Sequence, residues 1–251
     1  MRQVRPEDSD VEAWLAALLG LPAFGGRVQL RMKLEEAKQY ADELIDLLTP
    51  SCKRIEIAGG IRRGKTEPHD IEIVARPHFQ GEAPLDLMGE PIYNDYLPRN
   101  ELHDVVVHGI KVGFFQPGDL VTQHRNGKTF QIKAPFSDKY YRIKYKGEKV
   151  DLFAVTPPAQ WGVVFTLRTG DAGFSHWLVS QGWPKGIYFR EGQLVRHVDL
   201  EGRYIPEGQK HAHGECRTET IPTPEEKDVF EAVGVPWLDP EKRVFENSIV
   251  V

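Results

Sequence analysis

The chain has 251 residues with a formal net charge of −5; 40% of its residues are apolar and 27% are charged, which is ordinary for a globular protein with a sizeable core. No apolar run approaches the ~20 residues that cross a bilayer, the N-terminus lacks the apolar core of a secretion signal, and Cys52 and Cys216 are too few for a disulfide framework. We therefore expect a cytoplasmic protein with no membrane partner, in which any contact with nucleic acid depends on local basic clusters at residues 53–65 and 139–149.

The first part of the chain is predicted to be helical. Residues 11–19 follow a capping Ser9 or Asp10 and are stopped by Gly20, which predicts a short helix. Apolar residues then recur at helical spacing from residue 34 to residue 48, and Pro50 follows them. This pattern predicts an amphipathic helix whose apolar stripe packs in the core.

From residue 54 onward the pattern predicts strands, at residues 54–58, 71–75, 105–115, 120–132, 140–145 and 149–155. The turn signals Asn126-Gly127 and Lys146-Gly147-Glu148 predict hairpins. Residues 79–99 are rich in proline, glycine and polar residues, which predicts an insertion or a mobile loop.

After Pro157-Pro158 the pattern becomes helical again, with Thr169 or Asp171 leading the segment from Phe174. A short pair of strands is predicted within residues 187–196. Residues 223–234 predict a last helix with Thr223 as its cap, proline at its first position, early acids and a closing glycine.

The most informative feature is a glycine-rich basic turn that precedes two acids. Ile57-Ala58-Gly59-Gly60-Ile61-Arg62-Arg63-Gly64 is followed by Asp70-Ile71-Glu72-Ile73. Because strand side chains alternate, Asp70 and Glu72 share one face. Glycines let backbone N–H groups approach phosphate oxygens, arginines supply opposing charge, and carboxylates hold hard cations, so the combination suits a magnesium-triphosphate site. Taken separately, a Gly-Gly turn and an acid alternation are more often structural.

Three further motifs follow in order: Lys149-Val150-Asp151-Leu152-Phe153, the segment from Val163 to Thr169-Gly170, and the terminal Thr-Pro-Glu-Glu-Lys-Asp-Val-Phe with its Pro-Glu-Lys-Arg sequence. Together with the glycine turn, they resemble the palm and thumb of the family X DNA polymerases, the DNA polymerase beta type, over residues 31–251. The resemblance comes closest to compact viral and phage members. It implies an α+β fold, with a helical lead segment at residues 1–49, a nucleotidyltransferase palm of mixed or antiparallel sheet and flanking helices at 50–158, and a small α+β thumb at 159–251.

The resemblance also implies a function: a monomeric DNA polymerase that adds nucleotides from a nucleoside triphosphate to the 3′-hydroxyl of a DNA primer and releases pyrophosphate. Asp70, Glu72 and Asp151 would be the catalytic residues and the ligands of two metal ions, Mg²⁺ or alternatively Mn²⁺. The nucleotide-binding residues would be Gly59, Gly60, Arg63, Arg168, Thr169 and Gly170.

The chain departs from the family pattern at several positions. Glu72 stands where the polymerases usually have a second Asp, Gly60 replaces a Ser, and Ser175 replaces an Asn. Leu167-Arg168 replaces the Tyr-Phe pair that usually lines the sugar pocket after an apolar strand, here residues 163–165. We expect weak sugar discrimination from this last change.

Two other functions remain open at this point: nucleotidyl transfer to RNA or to a small molecule, and a non-catalytic nucleic-acid-binding module. The intact acidic triad argues against the module, because three converging carboxylates would repel a phosphate backbone. Single residues also have structural alternatives. Asp151 could pair with Lys149 or Arg142 on a hairpin face, Arg62 could form a structural salt bridge, and Arg168 could cap a helix.

Overall fold

The computed structural model of the protein describes residues 32–81, 99–119, 121–125, 128–132, 136–199, 201–203 and 216–245. The predicted helix at residues 11–19 and most of the predicted insertion, residues 82–98, lie outside this part of the chain. Among the described helices none is long and apolar enough to cross a membrane.

The described residues contain six α-helices: α1 (Leu34–Leu48), α2 (Gly59–Arg62), α3 (Glu101–Lys111), α4 (Trp161–Thr169), α5 (Ala172–Gly182) and α6 (Glu226–Val233). They also contain thirteen strands: β1 (Cys52–Ile57), β2 (Ile71–Pro77), β3 (Phe79–Gln80), β4 (Arg99–Asn100), β5 (Gln116–Pro117), β6 (Val121–Arg125), β7 (Lys128–Ile132), β8 (Phe136–Ser137), β9 (Tyr140–Tyr145), β10 (Glu148–Ala154), β11 (Ile187–Arg190), β12 (Gln193–Asp199) and β13 (Cys216–Ile221). The protein is therefore α+β, as predicted.

Six of these strands form the main sheet, in the order β1-β2-β10-β9-β5 with β8 also paired to β9. Strands β2 and β10 run parallel, whereas their neighbours pair antiparallel. The predicted hairpin at Lys146-Gly147 joins β9 to β10, and both turn residues have positive φ, as a tight hairpin turn requires. A second, antiparallel sheet has the order β11-β12-β13.

Each face of the main sheet supports an apolar core. Ile71 and Ile73 of β2 are fully buried in one core with the apolar stripe of α1. On the other face, Val74 of β2 and Phe153 of β10 join a core that includes α4, α5 and α6. Glu72 shares a face with Val74, and Asp151 with Phe153, because side chains two residues apart on a strand point the same way. The two acids therefore lie beside the core built by the C-terminal helices.

Residues 105–115 were predicted to be a strand, and this prediction is wrong, because α3 covers most of them. The three consecutive valines at positions 105–107 favour a strand locally. Asn100 nevertheless caps a helix, since its side-chain oxygen accepts from the N–H of His103 at 3.1 Å, and Leu102 and Val106 are fully buried one turn apart. Burial of this helical face overrides the local preference.

Residues 163–165 were expected to form an apolar strand, but they lie inside α4. All nine residues of α4 are buried, so the helix has no polar face and its sequence carries no helical period.

The last helix also begins later than predicted: Glu225, rather than Thr223, caps α6 through a reciprocal capping box with Asp228. The Thr223 hydroxyl instead donates to Gln160 Oε1 at 2.9 Å.

Candidate active site

The main sheet places the three predicted acids on neighbouring strands. Asp70 lies directly before β2, Glu72 lies within it, and Asp151 lies opposite Glu72 in the parallel β2–β10 register. Neighbouring strands are about 4.8 Å apart, so paired residues share one face of the sheet. Within the described residues, however, no three His, Cys, Asp or Glu side chains lie close enough together to hold a metal ion.

Cations lie between and beside the acids. The Lys149 ammonium donates to Asp70 Oδ2 at 2.7 Å and lies 2.9 Å from Asp151 Oδ2. The Arg142 guanidinium donates to both oxygens of Asp151, from Nε at 2.8 Å and from Nη2 at 3.0 Å. The Tyr140 hydroxyl donates to Asp151 Oδ1 at 2.8 Å. The sequence alternative, in which Asp151 pairs with Lys149 and Arg142, is therefore present in this structure.

These contacts keep Asp151 ionised although it is almost fully buried. Burial raises the pKa of its carboxyl, but the charges of Lys149 and Arg142 and their hydrogen bonds outweigh it, so the pKa lies well below its usual range. Burial lowers the pKa of Lys149 and of Arg142, but nearby carboxylates outweigh it, namely Asp151 together with Asp70 for Lys149 and mainly Asp151 for Arg142. Both cations consequently have a pKa above their usual range.

Gly59 lets the Glu72 carboxylate lie against the glycine turn. A Cβ atom at position 59 would stand 1.7 Å from Glu72 Oε2, and the φ of Gly59 is +58°. Both observations require glycine. The N–H of Ala58 donates to the Glu72 carbonyl at 2.8 Å and ties the turn to β2. At Gly60, by contrast, a Cβ would meet only ordinary contacts at 3.5 Å, so the turn has room for the serine that the family uses there.

The two arginines of the turn contact the C-terminal half of the chain. Arg62 donates to Glu226 from two nitrogens, Nη1 to Oε1 at 3.0 Å and Nη2 to Oε2 at 2.6 Å, and also to the Thr169 hydroxyl. Its guanidinium lies 3.9 Å from the centre of the Phe165 ring. Arg62 is thus a structural salt-bridge partner. Arg63 donates from Nη1 to the Thr169 carbonyl at 2.7 Å.

The predicted nucleotide-binding residues Arg168, Thr169 and Gly170 lie at the end of α4. Thr169 is fully buried between Arg62 and Arg63. The buried Arg168 guanidinium lies 4.0 Å from the centre of the Phe153 ring, and that ring stacks on Tyr140 with centres 4.8 Å apart. Arg168 therefore packs on the face of Phe153, the residue two positions after Asp151 on β10.

The sugar-pocket expectation for Leu167 is not supported by its position. Its side chain is 2% exposed and packs in the apolar core. Ser175, which replaces the family's Asn, is fully buried, and its hydroxyl donates to the Leu167 carbonyl at 2.9 Å. These two side chains are buried at the junction of α4 and α5 and help to stabilise it.

Sequence reasoning missed a buried ion network centred on Glu226. Besides Arg62, Glu226 accepts from Arg243, which is fully buried and also donates from Nε to the Leu238 carbonyl at 2.9 Å. Burial lowers the pKa of Arg243, although Glu226 acts in the opposite direction. The terminal Pro-Glu-Lys-Arg sequence was the available signal, since it contains Arg243.

Comparison with known proteins identifies a family model and a curated relative. Residues 166–244 match the family model described as the DNA polymerase beta thumb. DNA polymerase lambda of Rattus norvegicus is 24% identical over 191 residues, which cover 74% of this chain. The chain matches only 28% of the length of that polymerase. The thumb match includes Thr169 and Glu226, which accept from Arg62 of the glycine turn, and Arg243, which donates to Glu226.

Proposed function

Because this chain is a family X polymerase-like protein with a thumb of the DNA polymerase beta type, we propose that it is a metal-dependent nucleotidyltransferase that extends the 3′-hydroxyl of a DNA primer. One observation carries the proposal. Glu72 and Asp151 lie opposite each other on parallel strands, Asp70 lies two residues before Glu72, and the glycine turn lies against Glu72. The proposal assigns the palm to residues 50–158 and the thumb to residues 159–251, and takes the protein as a monomer.

The three acids suit Mg²⁺, or Mn²⁺, because carboxylate oxygens are the ligands that these ions prefer. The pKa of Asp151 is held well below its usual range, so this ligand is an anion at neutral pH. Asp70, Glu72 and Asp151 would hold the ions once Lys149 and Arg142 have left the space between them. When bound, such ions activate a hydroxyl nucleophile and neutralise charge on the phosphates.

The glycine turn would bind the triphosphate. Gly59 brings the backbone of the turn against Glu72, and backbone N–H groups of Gly59 and Gly60 would donate to phosphate oxygens. Arg63 uses one nitrogen for the Thr169 carbonyl, and a guanidinium has five N–H donors, so others can face the β- and γ-phosphates. Thr169 and Gly170 would contribute backbone contacts to the nucleotide. Arg168, which packs on the Phe153 ring, would contribute positive charge near the nucleotide.

Primer extension tests this proposal. The purified chain, with Mg²⁺ or Mn²⁺ and each labelled nucleotide separately, should extend a DNA primer in wild type and fail to do so in Asp151→Ala. Asp119→Ala is a matched control, because Asp119 is an exposed acid that pairs with Lys144 outside the site, and it should keep wild-type rates. RNA primers in parallel separate DNA from RNA as the acceptor. A wild-type protein that binds DNA but extends no primer would support the non-catalytic module instead.

A further inference from the structure

Both carboxylate oxygens of Asp151 have cationic contacts. Arg142 donates to both oxygens, and Lys149 lies close to one of them. Lys149 also donates to Asp70. A divalent ion that binds Asp151 must use the same oxygens. Since like charges repel in a buried site, the ion and the bidentate Arg142 guanidinium compete for this carboxylate, and each weakens the binding of the other.

The order of the strands places Arg142 on the side of the acids that is away from the glycine turn. Across the sheet the order is β1, β2, β10 and β9, so the glycine turn after β1 lies at one side, the acids in the middle, and Arg142 of β9 at the other side. If the triphosphate binds at the glycine turn, the acceptor strand must approach the acids from the opposite side. The Arg142 side chain is largely buried but 16% exposed, so part of it reaches the solvent from which an anion would approach.

We propose that Arg142 is a displaceable counter-ion that occupies Asp151 in the free protein and moves to a backbone phosphate of the acceptor strand, so that acceptor binding and metal binding at Asp151 reinforce each other. This inference rests on the proposed function, because it assumes that Asp151 is a metal ligand. The free protein then binds metal weakly at Asp151. The acceptor phosphate replaces the carboxylate as the partner of Arg142, and the Asp151 oxygens accept the ion once Lys149 has also moved away.

Lys144 provides the matched control. It lies two residues from Arg142 on β9 and points to the same face, but its ammonium pairs with Asp119 at 2.8 Å. Lys144→Gln therefore removes one positive charge from the same strand without removing a hydrogen bond to Asp151. A general charge effect on metal binding would appear in both variants, whereas the loss of the Arg142 contact appears only in Arg142→Gln.

The first measurement is calorimetric binding of Mn²⁺ to the free protein. Arg142→Gln should bind Mn²⁺ at least about tenfold more tightly than wild type, because a bidentate charge-assisted contact no longer competes. Lys144→Gln should stay within about threefold of wild type. Circular dichroism checks folding. If Arg142→Gln does not fold, Arg142→Lys keeps the charge but loses the bidentate geometry, and it should still bind about threefold more tightly than wild type.

The second measurement is fluorescence anisotropy of a labelled primer duplex that ends in a dideoxynucleotide and so cannot react. Coupling is reciprocal, so Mn²⁺ should tighten duplex binding to wild type and to Lys144→Gln by at least about fivefold, and to Arg142→Gln by no more than about twofold. Equal Mn²⁺ affinity in wild type and Arg142→Gln, with the Mn²⁺ site removed by Asp151→Ala, would overturn the inference and leave the proposed function standing. If no variant has an Mn²⁺ site that depends on Asp151, even with the duplex present, this result would overturn both the inference and the proposed function.

Discussion

Glu226 accepts two hydrogen bonds from Arg62 and so joins the glycine turn to the last helix, although the two residues are 164 positions apart in sequence. Arg243 approaches the same carboxylate from the C-terminal end of the described chain. One buried anion therefore balances two arginines, and the turn that would bind the triphosphate is held to the thumb through it. A change at Glu226 should affect stability and the position of the turn together.

Glu226→Gln should lower the free energy of unfolding by about 3–5 kcal/mol, because it leaves two largely buried arginines without their carboxylate. Urea denaturation measures this loss. Glu219→Gln is the control, since Glu219 is an exposed partner of Arg196 and such pairs contribute about 0–1 kcal/mol. A Glu226→Gln variant as stable as the control would show that the network is unimportant for folding.

Gly59→Ala should abolish nucleotidyl transfer. The new Cβ would collide with the Glu72 carboxylate, and the alanine would also have to adopt a positive φ. Either Glu72 or the turn must therefore move. Gly64→Ala is a matched control, because Gly64 has a φ of +72° but nothing lies within 4 Å of its added Cβ. In each variant the positive φ destabilises the alanine backbone by about 1 kcal/mol. Only Gly59→Ala should lose transfer activity in a single-turnover assay. Equal rates in the two variants would contradict the assigned position of Glu72.

Leu167→Tyr should destabilise the protein and leave the choice between deoxyribose and ribose substrates unchanged. Leu167 is packed in the core, where a larger side chain costs typically about 1–3 kcal/mol. The melting temperature and the ratio of dNTP to rNTP incorporation measure the two effects. A stable variant with markedly improved deoxyribose selection would restore the side-chain explanation that the sequence suggested.

The contribution of Asp151 to stability should decrease as the pH is lowered. Its pKa is lowered on folding, so its contribution is fully present above its unfolded pKa, about 3.9, and is lost as pH falls below that value. Asp151→Asn should cost about 3–5 kcal/mol at pH 7, because Lys149 and Arg142 lose a buried anion. The difference from wild type should stay constant between about pH 6 and pH 8 and shrink below about pH 4 in urea denaturation. A difference that instead grew on acidification would contradict the ion pairing.

The sequence predicts the acidic strands well because their alternation is local. Ile71 and Ile73 are buried and Glu72 lies on the other face, as the period of two requires. The helix α4 could not be recognised in the same way, since it is buried on all sides and has no amphipathic period. Lys149 lies two residues before Asp151 on the same strand, so its contact follows the same local alternation, whereas the β9–β10 register is needed to place Arg142 opposite Asp151. The Arg62–Glu226–Arg243 network joins distant segments, so no local pattern contains it.

The central claim is that Asp70, Glu72 and Asp151 hold the catalytic metal ions, and a crystal structure grown with Mn²⁺, a non-hydrolysable nucleoside triphosphate analogue and a dideoxy-terminated primer duplex tests it most directly. The anomalous signal of Mn²⁺ locates each ion independently of the protein coordinates. We predict ions bound to oxygens of all three carboxylates at about 2.0–2.3 Å, with Lys149 and Arg142 moved away from Asp151. Nucleotide bound with no ion on Asp151, and with Arg142 still paired to it, would contradict the account.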